Sequence, residues 1–182
     1  MNDDLHPSPL LRELIKPTEY NGTPPPYPYR DYDGNWTIGW GHLVTPEDDF
    51  SAGLSVGEME ALLDSDLESH AAVVRRLVTV PLDQGQFDAL TDFVFNEGEK
   101  NLRESTLLTR LNSGDYGIAD PLPPKTYATA NGPVTLQLPN GEFGKWVWSK
   151  HHVQPGLITR RLRDARLWQT GDWREPTEGD GA

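Results

Sequence analysis

The sequence predicts an α+β fold, and three observations carry that expectation. Residues 29–42, YRDYDGNWTIGWGH, combine aromatic alternation with a turn-forming Asp-Gly pair, the chemistry of a β-hairpin. Two segments on its C-terminal side, within 55–112 and 155–168, carry apolar residues at helical spacing. Between them, residues 118–141 lose the helical rhythm and hold VTLQL between two Asn-Gly pairs, which reads as an inserted β-hairpin or loop. Helices segregated from a small amount of sheet define α+β rather than an alternating α/β chain.

The elements follow in order. Ser8 and Pro9 start a helix through LLRELIK, with Leu10, Leu11, Leu14 and Ile15 on one face. Pro17 is expected to end it, which leaves Glu19 just past a helix C-terminus. Pro24, Pro25, Pro26 and Pro28 then stiffen the connection to the hairpin, which should turn at Asp33-Gly34. Alternation places Trp36, Ile38 and Trp40 on one face and Thr37 on the other. Ser55 and Glu58 form a capping box for a long helix over roughly 56 to 77. Asp83 with Gln86 starts a second through QFDALTDFVFN to Gly98, and STLLTRLN makes a third, stopped by Ser113-Gly114. Helical pattern is expected to resume at GKWVW and again in GLITRRLRDARLW after Pro155. The tail over 174–182 reads as frayed. With no repeat and no dividing linker, 1–182 is expected to form a single domain.

Composition narrows the function. Net charge is −12 over 182 residues, so nucleic acid is excluded as a partner for want of a basic footprint. The opening Met1-Asn2-Asp3-Asp4 lacks a basic n-region and an apolar h-region, so no signal peptide is expected. No apolar run approaches the ~20 residues of a membrane span, so no stable membrane insertion is expected. The absence of cysteine makes the fold independent of disulfides. His151 and His152 are adjacent, without metal-ligand spacing, and no metal or other cofactor is expected.

Glu19 and Asp31 suggest chemistry. Glycoside cleavage needs one carboxyl group that donates a proton and one carboxylate that activates water or stabilises positive charge. The negative end of a helix and a shell of tyrosine and proline favour the protonated form, which suits Glu19 to the acid role. Asp31, between Arg30 and Tyr32, suits the base.

The string YRDYDGNWTIGWGHLVT resembles the active-site hairpin of phage-type lysozymes, the endolysins of glycoside hydrolase family 24. LDQGQFDALTDFVFNEGEKNLRESTLLTRLNSGDY is similar to that family's central helices, and VQPGLITRRLRDARLW to its C-terminal segment. The resemblance implies a lysozyme-like fold. A small hairpin lobe and a larger helical lobe would flank an active-site cleft, joined by the long helix near 56 to 77. It also implies an N-acetylmuramidase that hydrolyses the β-1,4 bond between N-acetylmuramic acid and N-acetylglucosamine in bacterial peptidoglycan.

Residue by residue, Glu19 matches the general acid, Asp31 the second carboxylate, and Thr37 the threonine that helps hold the attacking water. Asp31 and Thr37 must then share one water, which favours a three-residue loop, Asp33-Gly34-Asn35, with Asp31 opposite Thr37. The chain departs from the family at Tyr20, where a glycine is expected after the acid, and in a longer Asn21-to-Pro28 connection. Glu13 is the competing acid, set aside because it would face away from the core-directed Leu14 and Ile15. Tyr29, Trp40 and Asn96 are the candidate substrate contacts. For Trp36 and Trp40 the alternative is hairpin core, expected for at least one of them; for Asn96 it is helix capping. His42 is expected to pack behind the site as a structural hydrogen-bonding residue. Lys145, Lys150, Arg160, Arg161, Arg163 and Arg166 form a basic region in an acidic chain, read first as helix packing with solvated stems.

The resemblance further implies a monomer made in the host cytoplasm that acts in the periplasm or cell wall, after holin-dependent release or delivery by a phage tail or secretion apparatus. The rival reading is a muramidase-like module that binds wall or a protein partner without cutting. An antibacterial toxin of the same chemistry is a third.

Overall fold

Capping decides where the helices begin. In the computed structural model, which describes residues 1–31, 34–129, 132–149 and 152–174, Ser8 accepts the Leu11 N–H and opens α1 (Pro9–Glu19). Pro17 does not end this helix. Tyr20 N–H still bonds the Lys16 carbonyl at 3.0 Å and Thr18 Oγ1 the Leu14 carbonyl at 2.7 Å, so one missing donor is tolerated and Glu19 becomes the last helical residue.

The small lobe is a three-stranded antiparallel sheet of β1 (Tyr29–Arg30), β2 (Trp36–Ile38) and β3 (His42–Leu43) in that order. Its register differs from the expected one. Tyr29 faces Thr37 and Arg30 faces Trp36, so Asp31 stands across from Asn35 rather than Thr37. The reason is local: Asp31 N–H bonds the Asn35 carbonyl at 3.0 Å while its carboxylate accepts the Asn35 N–H at 2.8 Å, closing a loop that starts one residue earlier. A two-residue shift preserves strand parity, so Asp31 and Thr37 keep one face, diagonally offset. Of the expected turn, Asp33 lies outside the described residues.

Of the expected one-sided Trp36, Ile38 and Trp40, only Trp36 and Ile38 lie on β2, where strand parity gives them one face. Trp36 is exposed, whereas Ile38 and Trp40 are buried. Gly39 turns with φ +59°, ending the strand and its alternation after Ile38.

The helical lobe starts with α2 (Val56–Leu77), whose Ser55–Glu58 capping box is complete. This helix leaves the small lobe, where Asp66 meets His42 Nδ1 at 3.0 Å, and enters the core through Leu67, Ala71 and Val74. α3 (Gln84–Glu104) opens on a second capping box and breaks at the expected Gly98 (φ 83°, ψ 164°), beyond which a further helical stretch runs to Glu104. α4 (Thr106–Asn112) follows. One core joins Leu11, Leu14 and Ile15 of α1 to Leu63, Phe87, Phe93 and Trp168.

The predicted hairpin at 118–141 forms as β4 (Leu122–Thr129) and β5 (Gly132–Leu138), with an irregularity at Pro123-Pro124 where ladder donors are missing. GKWVW is not helical. It becomes a 3-10 turn, Phe143–Lys145, leading into a short antiparallel pair, β6 (Trp148–Ser149) and β7 (His152–Val153). Trp146 packs edge-on against Phe93, and Trp148 lies tilted against Tyr127. α5 (Pro155–Thr170) completes the lobe and ends at Gly171 in the left-handed conformation. Of the tail, residues 175–182 lie outside the described ones.

Candidate active site

Glu19, at the end of α1, projects toward the hairpin. Its Oε1 accepts a 2.5 Å bond from Arg160 Nη1 on α5. Arg160 is fixed from behind by buried Asp92 of α3, which accepts from Nε at 2.9 Å and from Nη2 at 2.7 Å. This two-pronged pair leaves one guanidinium nitrogen aimed at the acid. Burial works to raise the Asp92 carboxyl, but the Arg160 charge and its hydrogen bonds prevail and hold it at about 2. Beside it, Arg161 is fully buried, with Nε 2.8 Å from Asp164 outside hydrogen-bonding geometry. Burial pushes Asp164 well above the carboxylate range, and the negative charge of Asp92 adds to that push.

The expectation of solvated arginine stems therefore fails for Arg160 and Arg161. The carboxylates of Asp92 and Glu19 draw Arg160 inside, and Arg161 is buried beside Asp164. Sequence reasoning missed Arg160 as a site residue. Its only signal was an Arg-Arg pair on an otherwise amphipathic helix.

The other side of Glu19 explains a glycine. A Cβ on Gly41, at φ +96°, would stand 3.3 Å from Glu19 Oε2 and 3.3 Å from Phe95 Cζ. The hairpin can therefore approach the acid closely only because position 41 has no side chain and tolerates this backbone.

Glu19, Asp31, Thr37 and Tyr29 line one cleft of about 430 Å³ with Tyr20, Pro25, Arg30 and Gly41. Thr37 is 3% exposed, and its hydroxyl has no hydrogen-bond partner among the described residues. Among the donors to Asp31 are the Asn35 N–H and, at 3.0 Å, the Asn35 side-chain amide. Arg30 stacks over Trp36 at 4.2 Å and donates to the Gly34 carbonyl. Tyr29 donates to the Gly39 carbonyl at 2.9 Å. Burial first, then the Glu19 charge, raises its phenol.

Two expected substrate contacts stand elsewhere. Trp40 is 5% exposed in the core beneath the ammonium of Lys16, because the turn at Gly39 swings it inward. Asn96 is exposed on α3, two residues before the Gly98 break, and is not among the residues that line the cleft. Glu13 is exposed and faces Arg174, away from the cleft. No group of three potential metal ligands occurs among the described residues.

A helical body, a small sheet, and a cleft with a glutamate on one bank and an aspartate on the other define a lysozyme-like glycoside hydrolase. Residues 19–140 match the family described as phage lysozyme. The chain belongs to that family, and it is a peptidoglycan muramidase acting on the bacterial cell wall. A SAR-endolysin of Escherichia phage Mu is 36% identical over 141 residues, spanning 78% of this chain and 70% of the relative. An endolysin of Acyrthosiphon pisum secondary endosymbiont phage 1 is 32% identical over 152 residues, spanning 78% and 85%. Among solved structures, the muramidase domain of SpmX from Asticaccaulis excentricus superposes with a TM-score of 0.69 at 29% identity, covering 91% of this chain and 99% of that one. A mutant lysozyme of phage P22 gives 0.66 at 26% identity, covering 90% and 98%.

Proposed function

We propose that Glu19 protonates the leaving oxygen of the β-1,4 bond between N-acetylmuramic acid and N-acetylglucosamine, while Asp31 and Thr37 position the attacking water. One observation carries this reading: an acid, a second carboxylate and a buried hydroxyl without a partner among the described residues line one cleft. The hydroxyl costs free energy where it stands unless something in the cleft bonds to it, and water is the smallest candidate. Arg160 occupies Glu19 Oε1 and so fixes the carboxyl plane, leaving Oε2 on the Gly41 side. Tyr29, held by its own hydrogen bond, offers a rigid ring to the saccharide.

The test is digestion of purified peptidoglycan with identification of the new reducing ends. Glu19→Gln should fold normally and lose at least ~10²-fold in turnover, the scale of general acid catalysis. Near-normal turnover by Glu19→Gln would overturn the assignment.

In the same reading the single core supports one catalytic domain, and the protein works as a monomer. It is made in the cytoplasm and reaches the wall through a holin. No helix among the described residues is long and apolar enough to cross a membrane. Expression in bacteria with and without a co-expressed holin tests the route; lysis without the holin would exclude it.

A further inference from the structure

Tyr20 follows the acid directly, and its backbone leaves α1 in an extended conformation, φ −148° and ψ 122°. The long connection that follows is anchored at Pro26 and Tyr27, because the Pro26 carbonyl accepts the Leu54 N–H at 2.7 Å and the Tyr27 ring packs against Gly53. The half-buried Tyr20 ring lies on the cleft wall, edge-on to Tyr29 with centroids 5.5 Å apart and planes at 64°. Tyr29 is locked by its bond to Gly39, so Tyr20 leans on a fixed support. With Pro25, three ring side chains line the cleft together with the polar groups of Glu19, Asp31 and Thr37. The cleft therefore offers ring surface beside hydrogen-bonding groups.

A pyranose ring is amphipathic in the same sense, with axial C–H groups on its faces and hydroxyls at its rim. A rigid aromatic face gives such a ring contact area with few rotamers to freeze. We propose that Tyr20 is a specificity-determining residue of this muramidase, whose ring packs against a saccharide unit beside the scissile bond. This rests on the cleft being the site of cleavage and adds a binding role that Glu19 does not perform. Contact made equally in ground and transition states should appear in KM rather than kcat.

Binding is best read without turnover. In the Glu19→Gln background, affinity for a soluble, peptide-free tetrasaccharide of alternating N-acetylglucosamine and N-acetylmuramic acid is measured by calorimetry. Tyr20→Ala should weaken it about tenfold and Tyr20→Phe should restore it, because the ring rather than the hydroxyl does the packing. Should Tyr20→Ala fail to fold, Tyr20→Leu keeps bulk against Tyr29 without a flat face and should bind as weakly. With Glu19 in place, Tyr20→Ala should raise KM and leave kcat within about twofold. Equal affinity in all variants, a Tyr20→Phe variant as weak as alanine, or a fall in kcat at constant KM would each overturn the proposal. Retained turnover by Glu19→Gln would instead defeat the acid assignment, and the KM–kcat split would still judge Tyr20.

Discussion

A buried threonine hydroxyl left unsatisfied is expensive in a folded protein, typically ~1–3 kcal/mol, and that of Thr37 has no partner among the described residues. Thr37 therefore separates function from stability. Thr37→Val keeps the shape of the side chain and removes the polar atom, so the melting temperature should hold or rise. Turnover should fall at least ~10-fold if that hydroxyl holds the water. A destabilised variant with unchanged turnover would make Thr37 a structural residue. Gly41 shows the opposite logic, since its space is already filled by Glu19 and Phe95. The glycine was visible in the sequence, but its reason was not. The carboxylate of the acid and the Phe95 ring, brought there by folding, occupy the space beside it. Arg160 was equally unreadable, because charged side chains are solvated by default and only the partners brought by folding reverse that.

Local chemistry made most of the helices legible. Ser55 with Glu58 and Asp83 with Gln86 write both caps of a box within four residues, and both boxes form. The β4–β5 hairpin was legible for the same reason, since its turn and its strand-forming run are contiguous. What failed were features set by side-chain partners rather than by pattern. The β1–β2 register follows from Asp31 capturing Asn35 four residues on, and the departure of Trp146 and Trp148 from a helix goes with their contacts to Phe93 and Tyr127. The β4–β5 hairpin is an excursion from closely placed ends. Glu142 N–H bonds the Ile118 carbonyl at 2.7 Å, and a side chain on Gly141 would overlap that oxygen. Replacing residues 123–137 with a short Gly-Ser link should therefore leave the melting temperature within a few degrees and retain cleavage of soluble glycan fragments. Slower digestion of intact walls would assign the hairpin to wall binding; collapse of the fold would show that it clamps the helical lobe.

At the scale of the molecule, Asp92 and Arg160 join three helices, since Arg160 of α5 reaches both α3 and α1. Their stabilisation has a definite pH dependence. Asp92 has a folded value of about 2, below the ~4 of an unfolded aspartate. Its contribution is complete above about pH 4 and is lost as pH falls toward 2. Asp164 runs the other way. Its raised value means that stability is greatest with the carboxyl protonated and declines as pH rises from about 4 toward that value. Asp92→Asn should cost ~3–5 kcal/mol at pH 7, because it leaves a buried guanidinium without its counter-charge. Melting temperature against pH should then fall less steeply between pH 4 and 2 than in the parent. An unchanged acid limb would show that the network is not what acid dissolves.

The bond between Glu19 and Arg160 also spans 141 positions of the chain, and this sets an order in time. A ribosome delivers the acid, the hairpin and Thr37 early, and the residue that fixes the acid almost last. Until α5 has emerged and docked, Glu19 swings without its clamp and Asp92 has no cation to justify its burial. Fragments that end before residue 160 through a premature stop or proteolysis would thus carry every cleft residue the chemistry names and still leave a cell wall untouched. Only a finished chain is armed.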